Sequence, residues 1–158
     1  MCRREILLLL SAPVFILAVQ MGCSRKPVIS DPNIILPKCA QRMQMKFPPS
    51  TRFLGFAEGT GQDYSARLKF EIDIDDLEFF IRNSPFAGKE LRTDRTYMSL
   101  SAGKKWWTAG NNSKTYKSGF TRVPSRYSEP MAILIDLDKP EKAVIYLKYR
   151  GRPLFQDE

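Results

Sequence analysis

The sequence predicts an α+β fold: a mainly antiparallel sheet of about four to five strands with one principal helix, behind a cleaved signal and an extended tether. Three stretches carry that prediction. "YSARLKFEID" alternates apolar and charged residues as a half-buried strand does. "MAILIDLDKPEKAVIYLKYRG" holds two apolar runs, Met131–Asp136 and Lys142–Arg150, around a turn built on Asp138, Lys139 and Pro140. Between them, "DIDDLEFFIRNSPF" sets Ile74, Leu77, Phe80 and Ile81 on one helical face. Strands with a lone helix among them pack as a sheet with the helix on one side.

The elements follow in order. Residues 1–22 read as a signal: Arg3 and Arg4 form a short basic start, and the stretch from Ile6 to Val19 is apolar apart from Ser11 and Pro13. A membrane-spanning helix needs about 20 apolar residues. This run is shorter and carries Pro13 in its middle, although prolines are tolerated in spans, so an uncleaved anchor stays open as the alternative. Residues 23–50 read as a tether, because Pro27, Pro37, Pro48 and Pro49 keep such a segment extended and its apolar residues show no sustained period. Within it, Cys39–Met43 has the composition for one helical turn.

A single domain is expected over residues 51–158. "TRFLGFAE" is a short strand, and "EGTGQD" a turn in which Gly59 and Gly61 can take positive φ. The alternating strand comes next. In the helix, Asp73 is placed as N-cap, with Asp75 and Asp76 in the first turn where the macrodipole favours negative charge. Pro85 ends it. Ala87–Ser113 is the least regular stretch, "TYKSGFTRV" is a further strand, and the two apolar runs complete the sheet.

Chemistry is constrained by what the chain lacks. It contains no histidine, which removes Ser-His and Cys-His nucleophile pairs and most catalytic zinc sites. It has no phosphate-binding glycine loop and no dinucleotide fingerprint. Asp73, Asp75 and Asp76 are accounted for by helix capping, and Asp138 by its turn. The expectation is therefore a protein that is not an enzyme, with no catalytic residue, metal ligand or cofactor.

Charge is more informative. The formal net charge is +8, and residues 92–126 hold eight basic side chains against a single acid, Asp94. Such a segment suits an acidic partner: anionic lipid, an acidic glycan or an acidic protein. It also suits a solvated loop in a basic protein. Inside it, "GKKWWTAGNNSK" places Trp106 and Trp107 between lysines. Paired tryptophans can stack on sugars, dip into a membrane interface, or fill the open end of a sheet. The candidate binding surface is Lys104, Lys105, Trp106, Trp107, Lys114, Lys117 and Arg122. Export argues against nucleic acid as the partner, and a monomer is expected.

The end of the apolar run, "LAVQMGCSRKP", resembles the lipobox of bacterial lipoprotein signals at Gly22 and Cys23. The resemblance implies that Cys23 is thioether-linked to diacylglycerol, acylated (palmitate in that family), and left as the new N-terminus after cleavage. Gln20 stands where that family usually has Leu. An uncleaved anchor, or a Cys23–Cys39 disulfide in an oxidising compartment, are the alternatives. Ser24 after the cysteine implies sorting to the outer membrane, facing the periplasm, in a Gram-negative cell. "RREIL" loosely resembles a twin-arginine signal, but the greasy run fits the general secretory route better.

Beyond the signal, "FPPSTRFLGF", "SPFAGKEL", the "WW" pair and "ILIDLDKPEKAVIYLKY" resemble a group of small bacterial envelope lipoproteins over most of the chain after Phe47. That group has no assigned activity, so the resemblance implies no site. The function expected is a non-enzymatic binding or accessory role in the cell envelope. The alternatives are an immunity or inhibitor protein for one specific partner, and a carbohydrate-binding or carbohydrate-hydrolysing module that uses the Trp106–Trp107 loop.

Overall fold

The computed structural model describes residues 31–59, 64–93, 106–108 and 113–155. Helix α1 spans Pro32–Met43, strands β1 and β2 span Arg52–Gly59 and Ser65–Asp73, and a 3₁₀ turn at Ile74–Asp76 leads into helix α2, Leu77–Arg82. Strands β3, β4 and β5 follow at Tyr116–Arg122, Pro130–Lys139 and Lys142–Arg150. The five strands form one antiparallel sheet in the order β1-β2-β5-β4-β3. Among the described residues, no helix is long and apolar enough to cross a membrane.

The alternation in β2 puts Ala66, Leu68, Phe70 and Ile72 on one face, all fully buried. Their partners on β5 are Tyr149, Leu147, Ile145 and Ala143, and β4 continues the layer with Met131, Ile133 and Ile135. Phe47 and Phe80 meet Phe70 edge-on, with ring centroids 5.2 and 5.3 Å away. Each large apolar side chain buried here contributes about 1.5–3 kcal/mol. The outer edge of β3 is closed at Ser118, which exchanges two backbone hydrogen bonds of 2.7 Å with Arg92.

Two expectations are corrected. From Pro32 onward the expected extended tether is the helix α1, whose Ile35, Cys39 and Met43 are fully buried in the core. The helix starts well: the Asp31 carboxylate accepts from the Asn33 N–H at 2.9 Å, and Pro32 occupies the first turn, where its missing N–H costs nothing. Gln44 closes it in the left-handed region at φ 52° and donates its side-chain amide to the Pro124 carbonyl. Burial of one stripe outweighs the interior Pro37.

The helix expected to be the principal one is the shorter of the two. α2 has six residues, α1 twelve. Asp73 makes no capping bond; its carboxylate goes to the Lys142 ammonium, and its N–H donates to Ser50 Oγ. At the other end Asn83 Nδ2 donates to the Phe79 carbonyl and Ser84 Oγ to that of Ile81, so side chains satisfy the last turn before Pro85. Phe80 is the fully buried residue of α2, while Phe79 remains 44% exposed.

Candidate functional site

Residues directly opposed on antiparallel strands share a face. The register therefore lays out the middle of the face turned away from the helices as three rows. They are Arg52–Glu71–Val144–Asp136–Tyr116, Gly55–Lys69–Tyr146–Leu134–Ser118, and Ala57–Arg67–Lys148–Ala132–Phe120.

The first row carries charges of both signs and is internally paired. Glu71 is buried and accepts from Arg52 Nη2 at 2.9 Å and from Lys139 Nζ at 3.3 Å. Burial pushes its carboxyl up, but the hydrogen bonds and charges of Arg52 and Lys139 outweigh this and hold it below the usual range. Asp136 accepts from the Asp138 N–H, and the Asp138 carboxylate takes the N–H groups of Lys114 and Thr115.

The second row lies under the tryptophans. The Trp106 indole lies against Gly55, and Trp107, only 3% exposed, packs on Ala132, Leu134 and Tyr146. The Trp107 and Tyr146 rings meet edge-on at 5.3 Å. Lys69 holds this strap in place: its ammonium donates to the Trp106 carbonyl at 2.9 Å and sits 4.9 Å from the Tyr146 ring centre.

The third row has a different character. Arg67 and Lys148 stand side by side, flanked by the short side chains of Ala57 and Ala132, with Phe120 45% exposed at the β3 end. No carboxylate among the described residues pairs with Arg67 or Lys148, and Arg67 Nε is buried without a hydrogen-bond partner. Burial, and then the charges of Arg67 and Arg150, hold the Lys148 ammonium below the ordinary lysine range. Like charges directly opposed on neighbouring strands are destabilising. The fold bears that cost in this row, while in the first row Glu71 is paired with Arg52 and Lys139.

The side chains expected to form one binding surface are spread out. Cys23, Lys104 and Lys105 lie outside the described residues. Trp106 is half-buried and Trp107 buried, and both pack on the sheet. Lys114 is exposed beside Asp138. Lys117 is exposed on the helix side of β3, opposite Ile135, on the rim of an apolar groove of about 450 Å³ that Leu77, Ile81 and Leu91 help to line. Arg122 lies about 17 Å farther along the strand, on the opposite face, and donates to the Ser128 carbonyl at 2.9 Å.

Arg67 and Lys148 were absent from the expected surface. Their exposure on the polar side follows from the alternation of "YSARLKFEID" and "KAVIYLKYR". Their pairing depends on β2 lying next to β5, a contact between strands some 80 residues apart that no local pattern encodes. Among the described residues no cluster of cysteine and carboxylate groups is arranged to hold a metal ion. No protein-family model, curated protein or solved structure matches the chain.

Proposed function

We propose that the protein is a lipid-anchored, non-enzymatic binding protein of the cell envelope, held close to the membrane that carries it. The observation that carries this reading is the position of Cys23. It follows Gly22 at the end of the apolar run and stands eight residues ahead of Asp31, the cap of α1. Whatever their conformation, eight residues reach no more than about 28 Å. A domain of this size has a radius of gyration of about 14 Å. A diacylglyceryl group on Cys23 therefore keeps the domain against the head groups instead of lifting it clear. Ser24 supports the outer membrane as the carrier, with the domain on the periplasmic side.

The carboxylates support binding over catalysis. Asp73 is tied to Lys142, Asp76 to Ser50, Glu71 to Arg52 and Lys139, and Glu129 to Arg152 and Ser125. Each holds one piece of backbone or one strand end in place. Metabolic labelling with a clickable fatty acid tests the anchor: the wild-type chain takes up the label and Cys23→Ser does not. Equal labelling of both would remove this reading.

A further inference from the structure

We propose that the Arg67–Lys148 row is where the domain rests on anionic phospholipid, with a headgroup phosphate lodged between the guanidinium and the ammonium. The inference deepens the lipid-anchored reading and rests on it for the presence of a membrane within reach.

The row has the features such a seat needs. Its two cations come from adjacent central strands in direct register, so the sheet fixes their spacing. Ala57 and Ala132 on either side are short, so the two long cationic side chains stand above their neighbours in the row. Arg67 Nε is buried with its donor unused, and neither cation has a carboxylate partner among the described residues. A phosphate brings several acceptor oxygens and negative charge to such donors, and arginine meets phosphate in forked geometry. In the same row Phe120, 45% exposed, offers an apolar ring of the kind that enters the interface beside head groups.

Charge separation on this face gives the seat a direction. The row of Glu71 and Asp136 is at the far side of the tryptophan strap from Arg67 and Lys148. An anionic surface therefore gains more at the Arg67–Lys148 row, whose cations have no carboxylate partner among the described residues, than at the row where Arg52 and Lys139 are already paired with Glu71, which tilts the domain toward Phe120. The leash from Cys23 supplies a high local concentration of headgroups, so a weak individual site is occupied.

The test uses the full chain reconstituted into vesicles of phosphatidylcholine alone or with one third phosphatidylglycerol. A water-soluble acetylating reagent is applied, and acetylation of Lys148 is read by mass spectrometry against the exposed Lys46. Phosphatidylglycerol should slow Lys148 acetylation at least about fivefold, the factor expected for one cation held at an anionic surface. Salt near 1 M, where the Debye length falls to about 3 Å, should remove the protection. Arg67→Gln should lose it as well, while Arg67→Lys, which keeps the charge, retains most of it. Unchanged Lys46 rates and circular dichroism show that both variants fold.

Equal Lys148 rates in the two vesicles overturn the proposal. So does the same protection produced by inorganic phosphate over phosphatidylcholine alone, because the site would then serve free phosphate. Protection of Lys148 in a chain whose Cys23 takes no fatty-acid label upholds the docking face and removes the anchor. A labelled Cys23 with an unprotected Lys148 does the reverse.

Discussion

Gly55 and Trp106 are in contact so close that no other residue fits at position 55 without movement: a methyl group there would stand 2.7 Å from Cε3 of the indole. Gly55 follows the register shift in β1 after Phe53, where the strand turns its glycine toward the tryptophan strap. Gly55→Ala should push Trp106 off the sheet and loosen Trp107 with it. The expected loss is about 1–3 kcal/mol, typical of overpacking. A denaturant melt measures the loss, and a red shift of tryptophan emission reports the displaced ring. Unchanged emission would mean the strap is not seated on Gly55.

Helix α1 is a structural part of the domain, so trimming its buried stripe should cost as much as trimming the sheet. Ile35→Ala should destabilise by about 2–5 kcal/mol, in the same class as Ile133→Ala. Both residues are fully buried. Ile34, on the same helix but 48% exposed, is the control, and Ile34→Ala should change stability by about 0.5 kcal/mol or less. Equal, small effects at 34 and 35 would return this stretch to the role of a tether.

Acid should weaken the fold through Glu71 and Glu129. Burial raises both carboxyls, but Arg52 and Lys139 around Glu71, and the Arg152 N–H, Tyr149 and Arg152 side chains around Glu129, bring each below its ordinary value. A carboxyl whose folded pKa is depressed stabilises the protein above its unfolded pKa, near about 4.3, and that contribution disappears as pH falls through the folded value. Glu71→Gln should therefore cost about 1 kcal/mol at pH 7, because Arg52 and Lys139 are largely exposed. Its melting temperature should converge on wild type below about pH 3. A constant gap across this window would show that Glu71 acts through packing alone.

Cys39 is buried in the core, and burial, with the nearby Glu58 carboxylate adding to it, pushes its thiol up to about 12. The thiolate is the reactive form, so the folded protein should protect it. At pH 8 the peptide carrying Cys39 should stay unalkylated by iodoacetamide over hours and react within minutes in guanidinium. Rapid labelling without denaturant would place the thiol at the surface, where a bond to Cys23 becomes feasible.

Local pattern and long-range register contribute differently to how much of this molecule can be read from its residues. β2 and β5 are legible because Ala66, Leu68, Phe70 and Ile72 alternate with polar neighbours, and a two-residue period has one structural meaning. α1 was readable in principle, since Ile35, Cys39 and Met43 recur every four residues, but Pro37 and the flanking prolines argue for an extended chain until the core that accepts the stripe is known. α2 runs short because Ile74–Asp76 take the tighter 3₁₀ form ahead of it and Pro85 follows three residues after Arg82. The cation pair of Arg67 and Lys148 is invisible because it depends on strand order. Both residues read as ordinary solvent-facing charges until the strand order brings them together without an acid between them.

The strand order has a further consequence for how the molecule comes into being. Among the described strands β5 comes latest, lies between β2 and β4, and alone joins the β1–β2 hairpin to the β3–β4 hairpin. Until Lys142–Arg150 has left the ribosome, the nascent polypeptide holds two separate ribbons, and an isolated two-stranded ribbon is marginal in water. Completion of the sheet then waits on a contact across some 80 residues, which is slow. Because the keystone is the last of the described strands to be synthesised, the sheet cannot close before it emerges, and the earlier ribbons stay pliable until then.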